Sequence, residues 1–295
     1  MLHLTNGDSA VPALRAAGVD DEILPWSEVL HDGPVPGGLG AGELRAVRAR
    51  FLGDRDGTLA RRDERLRTAI GAGEPLMLWF EADLYDLLLV IQILARLPAE
   101  APARMVLVGQ ERWRSVTEVE PAELRELGED APAVASEERR LAATAWSAFT
   151  APTPLEVEKL AAGTPALPAV AIAFGRLLEE LPWLGDGLSR TERQLLVALA
   201  DGARTREEAF LTTVDREERP FLGDASAWAA LDRLAPLTDA GVRVNERGRA
   251  VLGGQEEWQP VSERWLGGTR LPPGPSPWHW DPEARRVTED AANRY

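Results

Sequence analysis

Four short polar stretches hold the residue types that chemistry needs. They are Asn6-Gly7-Asp8-Ser9, the segment WSEVLHDGP at 26–34, EADLYD at 81–86 and GQERW at 109–113. A glycine turn leading into a helix exposes backbone N–H groups, and Asp8 and Ser9 add a carboxylate and a hydroxyl beside them. His31 is one of only three histidines, and an imidazole titrates near neutral pH, so it is the preferred general acid or base. Glu81 stands where a strand should end; with Asp8 it could form a carboxylate pair or hold a divalent metal such as Mg²⁺, although the spacing demands no metal. The catalytic candidates are therefore His31, Asp8, Ser9 and Glu81, and the ligand-contact candidates are Asn6, Gly7, Trp26, Asp32, Gly33, Asp83 and Gln110. Three of the stretches also have a structural use: a tight turn and helix cap at 6–9, a proline-bounded turn at 31–34, and first-turn acids that suit the helix dipole at 81–86. His3, inside a strand, and His279, between two tryptophans, read as packed residues.

What makes the four stretches one argument is the elements that precede them. Apolar runs at 2–5, 22–26, 75–80 and 104–109 read as strands, and the patterns at 10–17, 42–52, 58–71, 81–97 and 121–128 read as helices. The alternation predicts a parallel α/β sheet of Rossmann or flavodoxin-like kind, and each polar stretch follows a strand at its carboxyl end, where such sheets bind ligands. Between 27 and 40, four glycines and two prolines make a loop.

Residues 135–182 read as all-helical, broken by TAPTP and GTPALP. From 190 onward an amphipathic helix, a glycine turn, two more helices, a short strand and a turn resemble a winged helix-turn-helix. The tail at 258–288 holds Trp258, Trp265, Trp278 and Trp280 among glycines and prolines, and predicts a small β-rich closing segment. The predicted organisation is an α/β domain at 1–130 with the ligand site, a helical connector at 131–185, and a mostly helical, winged-helix-like domain at 186–295.

Composition removes several function classes. With 33 basic and 48 acidic residues, the net charge of −15 repels phosphate backbones, and the segment TREEAFLTTVDREER at 205–219 is too acidic for a groove-reading helix, so nucleic acid is an unfavourable partner. Without cysteine there is no disulfide, thiolate metal site or cysteine nucleophile. No apolar stretch approaches the roughly 20 residues that span a bilayer, which predicts a cytoplasmic protein without a membrane partner.

Two resemblances follow from the residues above. Gly7-Asp8-Ser9 after a first strand is similar to the nucleophile block of the SGNH hydrolases; that likeness implies Ser9 as nucleophile with Gly7 and Asn6 as oxyanion donors, but the Asp-x-x-His that carries those enzymes' base is missing. More broadly, LHLTNGDSA, WSEVLHDGPVP and LWFEADLYDLLLVIQILARL resemble, in order, the N-terminal region of the bacterial family known as domain of unknown function 1835. That resemblance spans about residues 1–130 and implies a bacterial cytoplasmic protein, with no reaction attached.

The expected function is that of a small-molecule enzyme, a hydrolase or group transferase acting on a nucleotide-like or phosphorylated ligand. Hydride transfer and P-loop chemistry lack their glycine fingerprints. A ligand-sensing regulator or an interaction module built on the C-terminal part is the alternative, and a homodimer is left open.

Overall fold

Four apolar runs pair into one parallel sheet. β1 (Leu2–Thr5), β2 (Glu22–Pro25), β3 (Leu76–Glu81) and β4 (Ala103–Val108) lie in the order β2-β1-β3-β4, within a residue or so of the expected limits. The structure is a computed structural model that describes residues 1–109 and 112–290.

β3 shows why the sheet is covered on both sides. Leu76, Leu78 and Phe80 belong to one hydrophobic cluster, whereas Met77 and Trp79 belong to another on the opposite face. α1 (Val11–Ala16), entered through a 3-10 turn at Asp8–Ala10, supplies Ala10 and Leu14 to the second face. α2 (Ala41–Leu52) and α3 (Thr58–Gly71) supply Leu44 and Leu66 to the first. α4 (Leu84–Leu94) is buried at every position except Tyr85, because the sheet covers one side and later helices the other. Each of its fully buried leucines and isoleucines contributes roughly 1.5–3 kcal/mol of transfer free energy. The helix begins at Leu84 rather than 81 because Asp83 caps it, its carboxylate accepting the Asp86 N–H at 2.8 Å. α5 (Pro121–Glu129) closes the second face through Leu124.

The helical stretch that follows consists of α6 (Ser136–Phe149), α7 (Leu155–Ala161) and α8 (Pro168–Leu178), whose apolar faces join the sheet's own cluster. A separate cluster holds α9 (Arg190–Ala200), α10 (Arg206–Asp215), α11 (Asp224–Arg233), the hairpin of β5 (Thr238–Asp239) and β6 (Arg243–Val244), and α12 (Glu246–Leu252). α12 replaces the turn expected there; the Asn245 side chain caps it by accepting the Gly248 N–H at 2.9 Å. The chain then forms two hairpins, β7 (Arg264–Leu266) with β8 (Thr269–Leu271) and β9 (Trp278–Asp281) with β10 (Arg286–Glu289). Trp278 and Trp280 return to the sheet's cluster, and Trp258 is buried in the other. No helix among the described residues is long and apolar enough to cross a membrane.

Two polar features lock the C-terminal half onto the sheet. Arg176 of α8 pairs with Glu180 and Glu217, Arg264 of β7 approaches Glu180 and Glu192, and Arg233 of α11 donates to Glu192, so one buried network joins four elements. The β7–β8 turn adds backbone contacts: Gly268 N–H donates to Phe149 O at 2.9 Å, and Gly267 O accepts the Val35 N–H at 2.8 Å. A Cβ on Gly268 would lie 1.9 Å from Thr150 O, so only glycine permits that approach. Gly268→Ala is expected to lose about 3 kcal/mol or more of stability in urea titration, because a backbone carbonyl cannot move aside.

Candidate functional site

The strand order reverses between β1 and β3, which sets the turn after β1 beside the turn after β3. Asn6, Gly7 and Ser9 from the first turn and Glu81 and Asp83 from the second line one cavity of about 430 Å³. His31 completes that wall from the sheet side. The opposite wall is Pro220–Ser226, the connection from α10 into the first turn of α11.

His31 sits in a segment without regular structure, and buried arginines hold it there. Glu28 is fully buried between Arg48 Nε at 2.9 Å and Arg62 Nη1 at 3.2 Å. Arg48 also donates to Val29 O at 2.6 Å and Asp32 O at 2.7 Å, bracketing His31 on both sides in the chain. Arg62 donates to Trp26 O at 2.6 Å and lies 4.0 Å over the Trp26 ring, whose Nε1 donates to Gln92 Oε1 at 2.7 Å. Removing Arg48 takes a donor from the carbonyls of Val29, Asp32 and Pro34 and from Glu28 Oε1. Arg48→Ala is expected to cost about 3 kcal/mol, measured by chemical denaturation.

The His31 ring is buried, with Phe221 edge-on at 5.2 Å and Tyr85 at 5.8 Å. Its Nε2 lies 3.2 Å from Ser226 Oγ and 4.0 Å from Asp32 Oδ2, while Nδ1 has no protein partner. Burial pulls its pKa below the ordinary histidine value; Asp32 and Glu180 oppose that, and Arg48 and Arg176 add to it. The ring is therefore neutral at pH 7.

Across the cavity, three carboxyl groups crowd the start of α4. Asp86 is fully buried; one oxygen accepts the Glu81 N–H at 2.6 Å and the other, Oδ1, has no partner. Glu81 accepts the Val116 N–H at 2.9 Å. Burial, reinforced by their mutual repulsion, raises Asp83 to about 7 and Asp86 well above the carboxylate range; Asn6 partly opposes the latter. Burial also raises Glu81. A carboxyl whose folded pKa is raised stabilises the fold below its unfolded pKa, and that contribution fades as pH climbs through the folded value. Wild-type melting temperature should therefore fall between about pH 4 and pH 8, and Asp86→Asn, which keeps the acceptor for Glu81 N–H, should flatten that slope and melt higher at pH 8. A variant with the wild-type slope would contradict the acid cluster's role.

The structure thus gathers Asn6, Gly7, Ser9, His31, Glu81 and Asp83 around one cavity. Asp8 is exposed and off that wall, so it does not face Glu81 across a shared site. Among the described residues no three His, Asp or Glu side chains are grouped to hold a metal ion. Trp26 is fully buried in the core, where the Arg62 stack and the Gln92 bond occupy it, and it does not reach the cavity. Asp32 and Gly33 face the other side of the same loop and line a second cavity of about 420 Å³ with Arg50 and Trp265. Gln110 lies outside the described residues. His3 is packed in β1, its Nδ1 accepting from Trp79 Nε1 at 2.9 Å.

Ser226, Phe221 and Tyr85 enter the site without having been singled out, and Asp86, expected only as a first-turn acid, joins them. Asp86 was legible as the acid three residues after a capping Asp83. Nothing local marks Ser226, which stands 195 residues from His31. No family model matches the chain, and no curated protein sequence matches it.

Proposed function

We propose that the chain is a small-molecule hydrolase or group transferase working in the cavity between β1, β3 and α11, with His31 as general base and Ser226 as nucleophile. The observation that carries this is the buried contact of His31 Nε2 with Ser226 Oγ, 3.2 Å apart on the wall of that cavity. When Nε2 accepts, the ring proton resides on Nδ1. Packing against Phe221 and Tyr85, rather than a carboxylate on Nδ1, then fixes the ring's orientation.

In the reaction, Ser226 Oγ attacks an acyl-type carbon of the substrate and forms a C–O bond while its proton passes to His31 Nε2. Asp32 Oδ2, at 4.0 Å, counters the imidazolium. The bond to the leaving group breaks as His31 returns the proton to it. Water or an acceptor hydroxyl, deprotonated by His31, then attacks the acyl-serine and frees Ser226. At the start of α11 the Ala225 N–H donates to Asp224 Oδ1 at 2.7 Å and the Ala227 N–H to Gly223 O at 3.1 Å, which leaves the Asp224 and Ser226 N–H groups as the oxyanion donors of this reading. Ser9 also lines the cavity, but no bond joins it to His31.

The phosphorylated ligand expected from the glycine turn finds little support, because among the described residues no arginine or lysine lines the cavity. The likeness to domain of unknown function 1835 is retained as part of this proposal: the three blocks that carry it contribute Asn6–Ser9, His31 and Glu81–Asp86 to the cavity's surroundings. One observation favours a second reading, a ligand sensor. The cavity wall includes the start of α11, so a ligand there bears directly on α9–α11 and the β5–β6 hairpin, the elements read as winged-helix-like.

A fluorophosphonate probe, whose P–F bond is replaced by a bond to an activated serine oxygen, tests the enzymatic reading by intact mass. Wild type should gain one adduct at Ser226, Ser226→Ala none, and His31→Gln should react at least about 100-fold more slowly. Ser9→Ala should label as wild type does. An inert wild type, or an adduct that survives Ser226→Ala, overturns the proposal.

A further inference from the structure

We infer that the cavity beside His31 recognises a small organic cation, an ammonium- or amidinium-bearing molecule whose N–H groups donate to the wall formed by Asn6, Asp83 and Asp86. This deepens the proposed function by naming its substrate class, and it rests on that reading for the identity of the site.

The first observation is the charge of the lining. Glu81, Asp83, Asp86 and Asp224 line the cavity, and among the described residues no basic side chain does so except the imidazole of His31. The nearest arginine in the chain's 217–223 segment, Arg219, donates to Ala82 O at 2.8 Å and lines the two cavities next door. An anionic ligand entering here would meet four acid side chains and, among the described residues, no arginine or lysine on the wall, whereas a cation meets acids on both sides of the cavity.

The second observation is independent of charge and concerns unmet hydrogen bonds. Three buried atoms on this wall have no protein partner: Asn6 Oδ1, Asp86 Oδ1 and His31 Nδ1. Asp86 is fully buried and His31 is 9% exposed. Asn6 Oδ1 is an amide acceptor, and the neighbouring Asn6 side chain favours the ionised form of Asp86. Asn6 Oδ1, and Asp86 Oδ1 in its carboxylate form, are acceptors, and a buried acceptor left unpaired is costly. A group carrying several N–H donors in one place, such as an ammonium or amidinium, meets them together. A bare metal ion is a poorer fit, since no three acids among the described residues are grouped to ligate one. The volume of about 430 Å³ and the Tyr85 ring leave room and an apolar surface for an organic skeleton.

Entry of a cation also explains why the cavity can carry so many carboxyl groups. Burial favours their protonated forms in the free protein, and a bound cation shifts Asp83 and Asp86 back toward carboxylates. The acids then form charge-assisted hydrogen bonds.

The test is a thermal-shift and calorimetric titration of the full chain with four amines: ethanolamine, 1,4-diaminobutane, agmatine and arginine methyl ester. Butane-1,4-diol, butanedioate and inorganic phosphate serve as neutral and anionic counterparts. At least one amine should raise the melting temperature and bind in calorimetry, while the diol, the diacid and phosphate do neither. Asp83→Asn, which can still cap α4, should weaken that amine by at least about tenfold. Asp224→Asn, away from the helix cap of α4, is the second variant and should weaken it in the same direction. The same amine should slow fluorophosphonate labelling of Ser226. Binding of phosphate or butanedioate with none of the amines, binding of no compound, or an amine whose affinity both variants leave unchanged overturns the inference. Ser226 labelling that persists in the absence of amine binding would sink the cation reading alone. Loss of labelling in wild type, with amine binding intact, would sink the nucleophile and leave the cation site standing.

Discussion

The buried Glu28 carboxylate between Arg48 and Arg62 is the constraint on which the site depends. The chain from 28 to 36 is buried or half-buried without a helix or a strand, so its carbonyl groups need donors from elsewhere. Arg48 supplies them to Val29, Asp32 and Pro34, and Arg62 supplies Trp26. Two guanidinium groups brought out of water require a counter-charge, and Glu28 meets both. Each guanidinium presents donors in a fixed fork, so the loop is held in one shape rather than merely covered. His31 inherits its position from that shape, and the fully buried Trp26 is one of its anchors.

The same burial acts in opposite directions on the two sides of the cavity. It lowers the basicity of His31 and raises the pKa values of Glu81, Asp83 and Asp86, because a low-dielectric surrounding favours the neutral form of any group. Around neutral pH the cavity thus holds a neutral imidazole opposite carboxyl groups whose acid forms burial favours, Asp83 with its pKa at about 7 among them. That combination suits proton exchange and leaves negative charge to be developed when a cation arrives. The contrast with the seam nearby is instructive. Glu180 and Glu192 are equally buried, yet Arg176, Arg264 and Arg233 overcome their burial and keep them ionised, Glu180 near 2. Buried acids with arginine partners there lock α8, α9, α11 and β7 together, whereas buried acids without them line the cavity.

The two halves of the chain need each other for this site. The sheet contributes a switch point and two turns, which alone would be an open edge. The connection Pro220–Ser226 turns it into a cavity, and the ion network around Glu217 holds the chain just before that connection. Phe221 shows the coupling in one residue: it meets His31 on one side, and Arg176 of the network lies 4.8 Å from its ring.

Local pattern was enough to determine the four strands of the sheet and the helices between them, though not α12, because period-two and period-3.6 burial is written in neighbouring residues. It determined too that the turns at 6–9 and 81–86 end parallel strands, and hence that Asn6, Ser9, Glu81 and Asp83 share an edge. It could not show which way each side chain of the irregular 26–34 segment faces, since such a segment has no period. Trp26 therefore went to the core, Asp32 and Gly33 to the far side of the loop, and Asp8, in a three-residue turn, to solvent. The pairing of Ser226 with His31, the burial of Arg48 and Arg62, and the opposed shifts of acid and base were decided only by the tertiary structure. They are set by which distant groups exclude water from one another, and separation along the chain carries no record of that.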